Sequence, residues 1–340
     1  MSPKRNKLFV TLVIGFVGIT VLSFFLLRVY TPKQETRYLL IRKNASFRVV
    51  MDSLNANTNG VSALVFRIEA HLSNYPQRIH AGRYKLTNGM LSVQLLNNLL
   101  KSRQEPVQLT FNNIRTKEQL CARLSQQLMT DSATLYEQLS DAEFLKQYQL
   151  KEETAISLFI PDTYEVYWTI SPEDLIKKIA KNHERFWNKE RTKKAEEIGL
   201  KKEEISTLAS IVEEETNSKR EKPVVAGLYL NRLKKGMKLQ ADPTIKFALQ
   251  DFGLKRIREK HIFACKSSPY NTYLHVGLPP GPIRIPDMEG IDAVLHYTKH
   301  DYLFMCVDPD NGEHFFTSSY NEHLSMANKY QNSLERRGIN

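Results

Sequence analysis

Residues 8–27, LFVTLVIGFVGITVLSFFLL, run for 20 positions without a charge. At roughly 1.5 Å of rise per residue a helix of that length reaches about 30 Å, the thickness of a bilayer's hydrocarbon core. Lys4, Arg5 and Lys7 stand before it and Arg28 after it. The cations on the near side set the orientation, with the N-terminus cytoplasmic and all that follows Arg28 outside. A cleaved leader would have a shorter apolar core and a small-residue cleavage site, and Arg28-Val29-Tyr30-Thr31 supply none. The expected layout is a cytoplasmic tail at 1–7 and a single-pass transmembrane anchor at 8–28. The rest is then extracytoplasmic, or periplasmic if the anchor sits in a cell inner membrane.

That topology decides how the charge is read. A net +11 over 340 residues suits nucleic acid, an anionic membrane surface or an anionic polymer. Outside the cytoplasm, nucleic acid drops out and the envelope remains. Cys121, Cys265 and Cys306 are odd in number and widely spaced, without metal-type Cys/His spacing. They read as buried free thiols, one disulfide remaining an alternative. No metal and no organic cofactor is called for.

After a short polar linker at 29–37, the pattern is α+β. RYLLIR (37–42) and AGRYKL (81–86) read as strands, with helical patterns between them at 46–56 and 60–73. A helix at 91–102 and an edge-type strand at 106–111 follow. Residues 112–150 read as polar amphipathic helix, and 172–198 as another helix. A helix over about 203–215, a second over 221–235 ended by Gly236, and a polar loop carrying Gln240, Asp242 and Thr244 come next. Residues 262–286 hold five prolines and two glycines in SSPYNTYLHVGLPPGPIRIP, which predicts a long ordered loop. A helix at 289–299, a hairpin around Asp310-Asn311-Gly312 and a helix at 319–335 complete the chain.

The helix at 203–215 ends in Glu213, Glu214 and Glu215. Such runs are ordinarily solvated surface, but at a helix C-terminus they oppose the macrodipole. Ile205, Leu208, Ala209 and Val212 form one apolar stripe at the i, i+3, i+4, i+7 positions. At about 100° per residue, Glu214 points about 150° from the stripe's centre, Glu213 about 110° and Glu215 about 50°. The spacing thus predicts a solvated Glu214, an intermediate Glu213 and a half-buried Glu215. Lost solvation and like-charged neighbours would raise the Glu215 pKa and keep it protonated near neutrality, the state a general acid needs.

Six segments, LASIVEEET (208–216), NRL (231–233), LQADPT (239–244), SPYNTY (268–273), GLPPGPI (277–283) and PDTY (161–164), taken in combination, resemble the endolytic murein transglycosylases, the YceG-like family. The chain departs in having Glu214 where that pattern commonly has lysine, and in lacking a proline in VLHYTK (294–299). The resemblance implies a LysM-like glycan-binding subdomain at 37–105 and a helix-rich α+β transglycosylase catalytic domain at 106–340. It implies cleavage of the bond between N-acetylmuramic acid and N-acetylglucosamine within peptidoglycan strands, leaving 1,6-anhydro ends. The position matching the family's catalytic acid is Glu215, the residue the stripe geometry also singles out. Gln240, Asp242, Thr244, Asn271, Tyr273 and Asn231 are then expected to wall the sugar groove, with Asn231 equally readable as an ordinary helix-face residue. Glu213 and Asp162 are expected in supporting roles. Peptidoglycan strands and the membrane are the implied partners, with cell-wall synthases such as penicillin-binding proteins beside them. Two other readings stay open: a non-catalytic peptidoglycan-binding scaffold, and a water-using muramidase in which a second carboxylate such as Asp242 activates water.

Overall fold

Short sheets and many helices follow from a sequence whose apolar positions mostly recur at helical spacing, and a computed structural model describes residues 3–32, 35–58 and 60–336. The architecture is α+β, with every sheet two-stranded among the described residues. The chain divides into two units. The first comprises residues 1–109 with 127–130 and 164–171, and the second the remainder.

In the first unit α1 (Pro3–Leu26) leads into β1 (Arg28–Val29), β2 (Arg37–Ile41), α2 (Phe47–Asn57), α3 (Gly60–Leu72), β3 (Gly82–Leu86), β4 (Met90–Leu91) and α4 (Ser92–Leu100). The described side chains from Phe9 to Leu22 are all exposed. Among the described residues no helix is long and apolar enough to cross a membrane. The side chains at 3–8, 23, 25 and 26, which include Lys4, Arg5 and Lys7 and part of the expected anchor, lie outside the described residues. At the start of the expected linker at 29–37, Arg28 and Val29 pair antiparallel with Leu91 and Met90. Ser46 caps α2 by accepting the Val49 N–H, and β2 pairs antiparallel with β3 from Arg37–Leu86 to Ile41–Gly82. This strand–helix–helix–strand order closes a core of Leu39, Ile41, Leu54, Phe66, Tyr84, Leu86 and Leu95. β5 (Val107–Thr110) pairs with β6 (Thr163–Val166).

The second unit begins with α5 (Lys117–Ser125), α6 (Ser132–Gln138) and α7 (Ala142–Lys146). The helix expected over 172–198 is two, α8 (Pro172–Phe186) and α9 (Lys189–Ile198), because the Asn188 side chain accepts the Arg191 N–H and starts a new cap. Then come α10 (Lys202–Glu215) and α11 (Lys222–Lys234), and Gly236 follows α11 at φ +63°. The expected polar loop is the start of a helix, α12 (Asp242–Leu249), since Pro243 suits the first turn. A short α13 (Glu259–Ala264) precedes the Pro-rich loop, followed by α14 (Met288–Leu295), the hairpin β7 (Phe304–Val307) and β8 (His314–Thr317), and α15 (Tyr320–Arg336).

α10 is the hub of this unit. It packs against α9, α11, α12 and α14, and residues 205–213 are buried without interruption. A single-stripe reading underestimates this, because helices cover both flanks. The polar positions so enclosed are used: Ser210 Oγ accepts the Ile283 N–H at 3.0 Å and donates to the Thr207 carbonyl at 2.7 Å. The Pro-rich loop is thereby tied to the hub. At Gly281 a Cβ would stand 1.9 Å from the Glu153 carbonyl oxygen, so GLPPGPI tolerates no side chain there.

Candidate active site

Glu215 is the last residue of α10 and is half-buried. Its Oε1 accepts the Tyr229 hydroxyl of α11 at 2.6 Å. Tyr229 is buried, and α11 can sit close to the 298–300 segment because a Cβ on Gly227 would stand 2.3 Å from the Thr298 carbonyl oxygen. One turn beyond Tyr229, Arg232 donates from Nη1 to the carbonyls of Lys238 (3.2 Å) and Leu239 (2.9 Å) and to Gln240 Oε1 (3.3 Å). Its Nε donates to the Leu303 carbonyl at 2.6 Å. This one guanidinium holds the LQAD segment and the entry to the hairpin around Glu215. Asp242 opens α12, and its Oδ1 accepts the Tyr273 hydroxyl.

These groups line a cavity of about 420 Å³ that contains Glu215, Tyr229, Arg232, Gln240, Asp242 and Tyr273. Its far wall is Met305, Cys306 and Val307 of β7, His314 of β8, and His323 and Tyr330 of α15. His314 is fixed by Glu221, whose Oε2 lies 2.9 Å from His314 Nδ1 and also accepts the Thr216 hydroxyl at 2.6 Å. The hairpin wall is therefore pinned to the residue after Glu215.

Burial pushes the Glu215 carboxyl up to about 7, and the charge of Asp242 adds to the shift, while the Tyr229 hydrogen bond, Lys246 and Arg232 oppose it. The Asp242 pKa is also raised, by burial, against the opposing Tyr273 hydrogen bond and Lys246. Tyr229 and Tyr273 are both held well above the usual phenol range, first by burial and then by the carboxylates they face, so both stay donors. The like-charged neighbour of Glu215 is thus Asp242, distant in sequence, and not the adjacent Glu214.

Glu214 is not solvated as the helical count predicts. It accepts both Arg115 Nη2 (3.0 Å to each oxygen) and Arg284 Nη1 (3.0 Å). Glu213, expected to be intermediate, is buried at 6 % exposure, with Arg284 Nε at 3.5 Å, Lys222 Nζ at 3.8 Å, and the Asp287 N–H donating to both of its oxygens. Burial, then the Asp287 charge, raise its pKa to about 7, with Arg284, that N–H and Lys222 opposing. A Cβ on Gly290 would stand 2.4 Å from its Oε1, so the seat is closed.

Of the expected groove residues, Gln240, Asp242 and Tyr273 line the cavity of Glu215. Thr244, Asn271 and Asn231 do not. Thr244 has no exposure, and its hydroxyl bonds the Ala241 carbonyl (2.7 Å) and Thr272 Oγ1 (2.8 Å). Asn271 is equally buried, donating to the Ile262 and Cys265 carbonyls (2.9 and 3.2 Å) and accepting the Tyr273 N–H (3.1 Å), which sets the tyrosine's position from behind. Asn231 donates to the His300 and Tyr302 carbonyls (2.7 and 3.1 Å). Asp162 is exposed, accepts its neighbour Thr163's N–H at 2.7 Å and lies away from the cavity. Among the described residues no cluster of three or more His, Cys, Asp or Glu could hold a metal ion.

Sequence reasoning misses Tyr229, Arg232 and the whole hairpin wall. Tyr229 reads as a core residue by spacing. β7 and β8 read as a hairpin from the sequence, which does not say what its faces meet.

Fold and site together define an α+β protein whose buried hub helix presents a carboxyl of raised pKa to a cavity of mixed lining. The chain belongs to the YceG-like family, whose pattern it matches over residues 39–329. It is similar to the endolytic murein transglycosylase of Bacillus subtilis (strain 168), with 38% identity over 168 residues, 48% of this chain and 44% of that protein. It is 27% identical over 303 residues to the endolytic murein transglycosylase of Streptococcus pneumoniae (strain D39), covering 79% of this chain and 54% of that one. The chain spans about half the length of the curated relatives it matches. A 2.6 Å crystal structure of a yceG-like protein from Listeria monocytogenes superposes with a TM-score of 0.58 at 25% identity, covering 87% of this chain and 99% of that one.

Proposed function

We propose that this chain is a membrane-anchored endolytic lytic transglycosylase with Glu215 as its single acid and base. The observation that carries the reading is the Glu215 carboxyl itself, with its pKa raised to about 7 and a tyrosine hydroxyl at 2.6 Å, on the wall of a cavity it shares with Gln240, Asp242 and Tyr273. The relatives' printed activity supports the substrate class. Protonated Glu215 gives its proton to the oxygen joining N-acetylmuramic acid to N-acetylglucosamine as the bond to the anomeric carbon breaks. The resulting carboxylate then takes the proton of the muramyl 6-hydroxyl, whose oxygen closes on the anomeric carbon. The product is a 1,6-anhydro end, no water is consumed, and Glu215 returns to its starting state. Tyr229 orients the carboxyl. The Asp242 charge favours the proton on Glu215 before cleavage and faces the positive charge that develops at the sugar ring. Gln240 and Tyr273 border the sugar site.

The first unit, strand–helix–helix–strand at its centre, serves in this reading as a LysM-like glycan grip. The exposed apolar side chains of α1 and the uncharged run they belong to support a single-pass anchor with the second unit extracytoplasmic. Such a protein trims or terminates new strands beside the penicillin-binding synthases. Because Asp242 shares the cavity, a water-using muramidase is the second reading. Mass spectrometry of purified sacculi digested by the full chain separates them: anhydro ends support the transglycosylase, reducing ends the muramidase, and no release a binding scaffold.

A further inference from the structure

A second cleft, of about 750 Å³, lies in the same unit, within the size range of sites that take small ligands. Phe247, Phe252 and Tyr270 are on its wall. Phe247 sits 4.7 Å from Tyr270 and 6.5 Å from Phe252, centroid to centroid, with the rings inclined at 45° and 61°. All three are only partly buried: Phe247 and Tyr270 pack against the core from one side, and the Arg115 guanidinium stands over the Phe252 ring, 4.9 Å from its centroid. The cleft and the surroundings of Glu215 share a wall residue. Arg115 lines both it and a small polar cavity of about 250 Å³, and that polar cavity also holds Glu215 and Arg284. Glu215 in turn lines the larger cavity described above. The catalytic carboxyl thus stands between two openings. α12 bridges them along its length, with Asp242 in one and Phe247 and Gln250 in the other, a span of about 12 Å from Asp242 to Gln250 at helical rise.

We infer that this cleft is a second saccharide subsite, holding an N-acetylated sugar of the same glycan strand on the opposite side of Glu215 from the Gln240–Tyr273 opening. The inference rests on the transglycosylase reading for its ligand. An N-acetyl group needs one donor for its carbonyl and one acceptor for its N–H. Gln119 Oε1 is taken by the Arg115 N–H at 3.0 Å, and Gln250 Nε2 by the Phe247 carbonyl at 2.8 Å. The Gln119 amide nitrogen and the Gln250 amide oxygen are left as that donor and acceptor, on two exposed side chains of the same wall. The aromatic faces suit a sugar's apolar side. Charge argues against a stem-peptide carboxylate: Arg115 is bound to Glu214, Lys117 to Glu152 (2.5 Å), and Glu118 and Glu153 add negative charge to the lining.

The test uses the full chain carrying Glu215→Gln, which binds without cleaving, and a peptide-free N-acetylglucosamine hexamer as probe. Phe252→Ala and Gln250→Gly are compared in that background, glycine being suited to the φ of +54° at position 250. Each is expected to weaken hexamer binding about tenfold, a loss of one stacking or amide contact, with melting temperature held as the folding control. In the cleaving chain the same substitutions are expected to raise KM on long strands more than they lower kcat. Because the first unit would itself hold the hexamer, the deciding readout is KM: KM on long strands unchanged by both variants, or hexamer binding competed away by free stem peptide, overturns the subsite. Failure of the transglycosylase reading looks different: anhydro ends are then absent from digests whatever happens to hexamer binding.

Discussion

Glu213 and Glu215 stand two residues apart on one helix, and both carboxyls are pushed up to about 7, but they face different surroundings. Glu213 is enclosed by Arg284, Lys222, the Asp287 N–H and the Gly290 backbone. Glu215 has a tyrosine hydroxyl and an open cavity. A raised proton affinity therefore does not separate the two, and access does. Glu213 is a tie among four segments, and Glu215 opens on a cavity, which is why the proposed mechanism takes it as the acid.

The largest effect that would break this contrast is on stability. Glu213→Ala leaves Arg284 and Lys222 facing a vacant seat and is expected to cost about 3 kcal/mol, measured by denaturant unfolding. A cost under about 0.5 kcal/mol would mean the seat is not structural. Gly290→Ala forces a methyl onto the same carboxylate and should cost about 1–3 kcal/mol, seen as a lowered melting temperature.

Glu215→Gln should behave in the opposite sense. A carboxyl whose folded pKa is raised above its unfolded value binds its proton more tightly when folded. Its stabilising contribution is full below the unfolded value of 4.5 and is lost as pH rises through about 7. Glutamine removes that loss. The variant should match the parent at pH 4 and be more stable at pH 8, by on the order of 1 kcal/mol after allowing for partial exposure. Equal stability at both pH values would argue against a raised Glu215 pKa.

The smallest effects are displacements of the pH–rate profile. Cleavage that starts from protonated Glu215 should fall as pH rises through about 7. Asp242→Asn removes a charge that favours the proton and should move that limb to lower pH. Tyr229→Phe removes a hydrogen bond to the ionised form and should move it to higher pH. Shifts in the same direction would break the electrostatic assignment.

Much of the frame was legible from the chain alone, and for particular reasons. The 3.6-residue spacing of Ile205, Leu208, Ala209 and Val212 locates α10 and puts Glu215 at the lip of its apolar face, where it lies. It fails for Glu213 and Glu214, because spacing sees one buried face and this helix is covered on several sides by later elements. The Pro-rich loop is read correctly as ordered, and its hold on Ser210 is a tertiary fact that no local pattern carries. Polar residue type picks out Gln240, Asp242 and Tyr273, which line the cavity of Glu215. The same criterion picks out Thr244 and Asn271, which do not line it: Thr244 bonds the Ala241 carbonyl and Thr272, and Asn271 the Ile262 and Cys265 carbonyls. The hairpin wall about 100 residues downstream was out of reach, since convergence in space leaves no periodic trace in sequence.

The most direct test compares parent and Glu215→Gln chains on purified sacculi, with anhydro-ended fragments counted by mass spectrometry. A single acid and base predicts a fall of at least about 100-fold, the low end for general acid–base catalysis, with folding intact and with Glu213→Gln retaining measurable release. Release by Glu215→Gln at the parent's rate, or its loss in Glu213→Gln alone, would contradict the account.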